Sequence, residues 1–130
     1  MTAPCRSTML EKVAVRSLHH VSINVDDVAA ALRFYVDGLG LRVRSDRPGF
    51  NFDGAWLDAG DRQVHLIEAE VPENLGQHFA LLVDDLDDIV GTLRRQGYDV
   101  SEPVSVGEDR QAFVSDPCGN GVELHQSRQA

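Results

Sequence analysis

His20 and His78 stand 58 residues apart, and so do His65 and Glu123. All four are of metal-ligand type. Three neutral imidazoles and one carboxylate suit a divalent ion of the Zn, Ni, Co, Fe or Mn kind. With four protein donors, an octahedral ion would keep two positions for water or substrate, whereas a closed tetrahedral zinc would be structural; the residue types leave both open. Taken singly, each residue has a plainer reading: a lone histidine is usually a surface or satisfied core residue, and a glutamate at a strand end is usually solvated. The shared offset carries the assignment. It expects His20, His65, His78 and Glu123 to be metal ligands at one site between two copies of a repeated unit. His125, two residues beyond Glu123 on the same strand face, is expected in the second shell or at the substrate, together with Trp56 and Arg110. His19 points the other way and stays outside the ligand set.

The text around these residues repeats as well. His20-Val-Ser-Ile-Asn-Val-Asp26-Asp27-Val28 runs parallel to His78-Phe-Ala-Leu-Leu-Val-Asp84-Asp85-Leu86, Val64-His65-Leu66 answers Val122-Glu123-Leu124, and Asp58 answers Asp116. Leu18–Val25 alternates with the period of a half-buried strand. Asp26-Asp27 sits where an N-cap and acidic first turn belong, ahead of a helix from Val28 through Tyr35 that Gly38 and Gly40 stop. Leu41–Val43 resumes extended structure, and Asn51–Leu57 with Gln63–Glu68 reads as a hairpin. After a linker over residues 69–76, the order restarts. His78–Val83 is a strand, Asp84-Asp85 caps a helix through Leu93, Tyr98–Val100 is a strand, and Gln111–Ser115 pairs with Gly121–Gln126. The expected organisation is a lead-in over residues 1–17 with a loose tail at 1–8, a βαβββ module over 18–68, and a second over 77–130. On each first strand the apolar side faces the helix and the histidine faces away. On each last strand His65 and Glu123 do likewise, so all four polar groups fall on the uncovered face.

With 130 residues, 42% hydrophobic and 25% charged, the chain is sized for one globular domain with a single core. A formal net charge of −9 argues against nucleic acid and against an anionic membrane surface. No apolar run approaches the ~20 residues of a membrane span, and the first 17 lack a signal-peptide core, so the expected location is cytoplasmic. Cys5 and Cys118 form no C-x-x-C and read as free thiols. Arg42, Arg44, Arg47 and Arg110 could receive an anionic substrate, though such arginines are more often surface ion pairs. Trp56 and Phe52 could line a pocket, though strand aromatics more often fill a core. The acidic run Asp84-Asp85-Leu-Asp87-Asp88 is better explained by helix capping than by calcium. No G-x-G-x-x-G, Walker A or G-x-S-x-G motif is present.

Leu18-His-His20-Val-Ser-Ile-Asn-Val-Asp26-Asp27, Phe34-Tyr35-Val-Asp-Gly-Leu-Gly40-Leu41, Gly76-Gln-His78-Phe-Ala-Leu-Leu-Val-Asp84-Asp85 and Asp116-Pro117-Cys-Gly119-Asn120-Gly-Val-Glu123-Leu124 resemble the vicinal oxygen chelate superfamily, the glyoxalase, bleomycin-resistance and extradiol-dioxygenase group. The resemblance runs from about Leu18 to Gln126. It implies an α+β fold in which paired βαβββ modules form a cup-shaped mixed sheet with helices outside, around a divalent metal, often with modules contributed across a homodimer. His20 matches the first-strand ligand, His65 the fourth-strand ligand of module one, His78 the first-strand ligand of module two, and Glu123 the final carboxylate. Glyoxalase I commonly has Glu or Gln at the position of His65, so the histidine there is a departure.

The chemistry implied by that group is bidentate chelation of a small-molecule substrate through adjacent oxygens, with stabilisation of an enolate or oxyanion. The expected activity is a glyoxalase-like metal-dependent lyase or isomerase acting on a small oxygenated metabolite. Glu123, or a metal-bound hydroxide in its place, is the catalytic group that the resemblance implies. An extradiol dioxygenase wants two His and one carboxylate, and His65 would occupy a position that chemistry needs free. A thiol transferase acting on fosfomycin lacks recognisable anchoring residues here. A drug-sequestering protein of the bleomycin-resistance type suits the acidic balance, but four ligand-type residues argue against it.

Overall fold

The computed structural model describes residues 14–128; the expected tail at residues 1–8 lies outside them. Two four-stranded mixed sheets and two helices make an α+β fold. The first module contains β1 (His20–Val25), α1 (Val28–Leu32) continuing as a π-helical segment (Arg33–Gly38), β2 (Arg42–Val43), β3 (Gly54–Ala59) and β4 (Arg62–Glu68). The second contains β5 (His78–Leu82), α2 (Leu86–Arg95), β6 (Val104–Val106), β7 (Asp109–Ser115) and β8 (Gly121–Gln126). The sheet orders are β1-β4-β3-β2 and β5-β8-β7-β6, and in each the first strand pairs in parallel with the last. The sheets are separate and not closed into one.

Both helices start as the acidic pairs require. Asp27 Oδ1 accepts the Ala30 N–H at 3.0 Å and Asp85 Oδ1 accepts the Asp88 N–H at 3.1 Å, satisfying amides that the first turn leaves free. In α2, Asp87 and Asp88 lie in the first turn and Arg94 and Arg95 in the last, each on the favourable end of the helix dipole. The widened turn after α1 was not foreseen. There Leu39 donates to Phe34 O at 3.0 Å, an i→i+5 bond, and the successive rings of Phe34 and Tyr35 are both fully buried.

One core spans the two modules. Val25, Leu57, Val64 and Leu66 from the first sheet belong to the same cluster as Leu86, Leu93, Val122 and Leu124 from the second. The Phe34 ring meets Tyr98 edge-on at 4.9 Å. A buried polar contact crosses the same boundary: the Tyr35 hydroxyl donates to Asp116 Oδ2 at 2.7 Å, and burial first, then the Asp116 charge, pushes the phenol pKa far up. Asp116 also accepts the backbone N–H groups of Cys118 and Asn120 and the Asn120 amide, whose other N–H reaches Asn24 O at 2.9 Å. A buried carboxylate is tolerable only with its lone pairs so filled.

Two expectations need correction. The strand expected over Tyr98–Val100 reduces to a single bridge, Val100 to Val114, and the edge strand forms later as β6. Pro103 lies between them with no N–H to donate, which interrupts the ladder. Asp58 and Asp116, offset by 58 like the ligand residues, are not equivalent in space: Asp58 is inside β3 opposite Gln63, whereas Asp116 sits in the β7–β8 turn. That turn is longer than the two-residue β3–β4 turn, so the repeat slips between the hairpin strands.

Candidate metal centre

The four ligand-type residues form two pairs, one in each sheet. In the first, Ser22 lies opposite His65 in the β1–β4 register and His20 sits two residues before it, on the same face. The His20 and His65 rings stack with centroids 4.0 Å apart and planes 15° from parallel. Trp56, directly opposite His65 on β3, stacks on the His65 ring at 4.3 Å and 9°. His65 is only 8% exposed, and its Nε2 lies 2.8 Å from Gln63 Oε1. Burial first, then the neighbouring His20 and His19 imidazoles, lower its pKa and favour the neutral ring. His19, exposed, touches His20 through an Nδ1–Nδ1 contact of 2.9 Å. Stacked rings aim their nitrogens along parallel planes, so a shared ion requires one ring to turn.

The second pair needs no such turn. His78 Nδ1 faces the Gly76 carbonyl at 2.9 Å and, since a carbonyl only accepts, carries a proton. That leaves Nε2 directed at Glu123 Oε1, 3.0 Å away. A backbone carbonyl holding Nδ1–H is the arrangement that orients a ligating imidazole. An ion with right-angled bonds of about 2.1 Å spans donors about 3.0 Å apart, against about 3.4 Å for tetrahedral angles, so this spacing fits a right-angled bite. The donor chemistry of each pair suits a divalent metal. Among the described residues, no three of His, Cys, Asp or Glu lie close enough to hold an ion together.

His125 extends the second pair. Its Nδ1 is 2.9 Å from Glu123 Oε2 and its Nε2 is 2.8 Å from Asp109 Oδ2, so the ring donates to two carboxylates. The hydrogen bonds to Asp109, then Glu123, raise its pKa; those to Gly76, then Glu123, raise that of His78. His125 in turn holds Asp109 below the usual carboxylate range, helped by the Arg128 N–H. Arg110 is not with this group. It makes a two-pronged ion pair with Asp87 of α2 at 3.0 and 3.1 Å, and alternation along β7 places it on the helix side.

Asp109 and Phe113 are site neighbours that residue spacing did not single out. Phe113 lies opposite Glu123 in the β7–β8 register, as Trp56 lies opposite His65, and meets the His78 ring edge-on at 5.2 Å. The partner on the other flank is small in both modules, Ser22 beside His65 and Ala80 beside Glu123. A cavity of about 550 Å³ opens beside His78 and Phe113, lined also by Asn74, Ser101 and Ser115. A further cavity of about 940 Å³ touches none of the four ligand-type residues.

Residues 17–124 match the Glyoxalase/Bleomycin resistance protein/Dioxygenase superfamily. The chain belongs to that superfamily. It is 30% identical, over 84% of its length, to the probable chloroplastic lactoylglutathione lyase of Arabidopsis thaliana, but spans only 35% of that protein. With the lactoylglutathione lyase of Salmonella typhimurium it shares 27% identity over 87% of this chain and 94% of the other. Among solved structures it is similar to TnmS3, an antibiotic-binding protein of a Streptomyces species, with 27% identity and a TM-score of 0.77 over 90% of this chain and all of that one. Among the described residues no helix is long and apolar enough to cross a membrane.

Proposed function

We propose that this protein is a glyoxalase-like, metal-dependent lyase or isomerase acting on a small oxygenated metabolite, with each metal centre completed across a homodimer. The observation that carries the reading is the His78–Glu123 pair, whose imidazole orientation and 3.0 Å donor spacing suit a common ion. His20 and His65 of a second copy supply the remaining donors. A bound divalent ion would polarise two adjacent substrate oxygens and stabilise charge developing there.

The chain's own groups divide the remaining work. Glu123 has one oxygen toward His78 and the other toward His125, so the carboxylate is gripped on both sides. It acts as the base that takes a proton from a carbon beside a carbonyl once one of its oxygens loosens from the ion. His125, anchored by Asp109, steadies Glu123 as its charge changes. Trp56 and Phe113 wall the last-strand ligands and limit water on that side.

Metal analysis of untagged protein should find about one divalent ion per chain, lost in His20→Ala and in Glu123→Ala. Hydrogen exchange at the carbon beside the carbonyl, assayed with hemithioacetals and acyl thioesters, should then depend on that ion. The similarity to an antibiotic-binding protein and the exposed Phe50 and Phe52 beside Trp56 favour a second reading, a small-molecule sequestering protein. Wild-type protein that is metal-free and resists reconstitution would select it.

A further inference from the structure

The connection between β2 and β3 carries a row of rings that the proposed centre does not use. Phe52 and Phe50 stack at 4.9 Å with planes 16° apart, and Phe50 stands 6.2 Å from Trp56, tilted by 53°. Trp56 leads on to His65 and His20. Phe50 and Phe52 are 42% and 40% exposed, a costly placement for two adjoining aromatic rings whose sole role is packing. One indole face is covered by His65; among the described residues no second ring lies parallel to Trp56.

Arg47 completes the row. Its guanidinium lies 5.0 Å from the Phe50 centroid and 5.5 Å from that of Phe52, within cation–π range. It donates one Nη2–H to Phe52 O at 2.9 Å and has no carboxylate partner among the described residues. The nearby Arg44 is, by contrast, held by both Asp46 and Asp58. Arg47 thus offers unspent donors, fixed beside flat apolar faces, on a chain whose net charge of −9 otherwise repels anions.

We propose that Trp56, Phe50, Phe52 and Arg47 form the recognition surface for a small planar aromatic molecule bearing a carboxylate. The flat part lies against the exposed Phe50 and Phe52 rings beside Trp56, and the carboxylate takes the paired N–H groups of Arg47. This surface lies beside the proposed metal centre and does not depend on it, because stacking and the guanidinium contact need no ion.

The chain has a single tryptophan, so its indole N–H gives one resonance that reports on this spot. Titration of the full-length protein with 2-naphthoate should shift that resonance and saturate, with calorimetry giving the affinity. Cyclohexanecarboxylate, anionic but not flat, should bind at least about tenfold more weakly. Phe50→Ala with Phe52→Ala should weaken 2-naphthoate by about tenfold. Arg47→Ala should weaken it by about fivefold while leaving neutral 2-naphthalenemethanol unchanged. Equal binding of the two acids overturns the proposal without any variant having to fold. So does an indole resonance unmoved by ligand but shifting with protein concentration, which would mean a second copy covers the rings. Naphthoate binding that vanishes on stripping the protein with chelator also overturns it, while leaving the metal reading intact; binding retained in a protein that takes up no metal sinks the metal reading alone.

Discussion

Glu123 stands between two imidazoles, and the proton inventory of that trio differs from that of the first pair. Both nitrogens of His78 face acceptors, Gly76 O and Glu123 Oε1, and its pKa is raised above 6.5. His65 goes the other way, lowered by burial and by its histidine neighbours. A metal bound at Nε2 must therefore displace a proton from His78. Because that pKa is raised, metal affinity should begin to fall while the pH is still above 6.5, and should keep falling as acid protonates the ring more fully. Calorimetry in buffers of different ionisation heat should show proton release on metal uptake, larger at pH 6.5 than at pH 8.5; release that is equal or absent would contradict the assignment of His78. His125→Ala should weaken metal binding by about 10- to 100-fold without abolishing it, since it removes the group orienting Glu123 but no ligand. Competition against a chromophoric chelator would measure that loss. That His78 and Glu123 are neighbours was legible because the alternation and the repeat put both on one face of the first and last strands of a module. The parts of Asp109, Gly76 and Phe113 were not, because they depend on which residue lies opposite which, and that is fixed by turn lengths the repeat does not share.

Elements follow the same division between local signals and tertiary geometry. The acidic N-caps and the alternating first strands depend on neighbours in sequence, and they appear where Asp27, Asp85, His20 and His78 place them. Edge structure does not: Asn51–Asp53 stays irregular, so β3 begins only at Gly54. Gly54 has a reason in space. A Cβ built there would sit 2.2 Å from Leu66 O on β4 and 3.2 Å from Arg47 Nη2, so any side chain forces the β3–β4 backbones apart. Gly54→Ala is expected to cost about 1–3 kcal/mol in urea unfolding. It should also disturb the Trp56 environment more than that of Tyr98, which packs on Phe34 in the other part of the core. Wild-type stability in this variant would show that the β3–β4 contact yields easily and that the aromatic loop is not anchored there.

At the scale of the whole molecule, the issue is how two half-sites on separate sheets meet. The sheets of one chain share a core, and the buried Tyr35–Asp116 contact with the Asn120–Asn24 bond ties them on the helix side. Closing His20 and His65 onto His78 and Glu123 within one chain would have to break that packing, at a cost set by several fully buried side chains. A second copy requires no such break, since module one of each chain can face module two of the other by two-fold symmetry. The two routes differ in a countable way. His20→Ala spoils module one and Glu123→Ala spoils module two, so neither variant alone has an intact centre. Unfolded together and refolded at equal amounts, half the dimers should be mixed, and each mixed dimer should carry one centre in which both halves are wild type. About a quarter of the wild-type metal content should therefore return if centres form across the interface, and none if they form within a chain. The readout is metal bound per chain after gel filtration, which requires neither substrate nor activity. Recovery near a quarter fits only the shared centre. Failure to recover, with dimers verified by light scattering, would place the ligands within one chain or remove them from metal binding altogether.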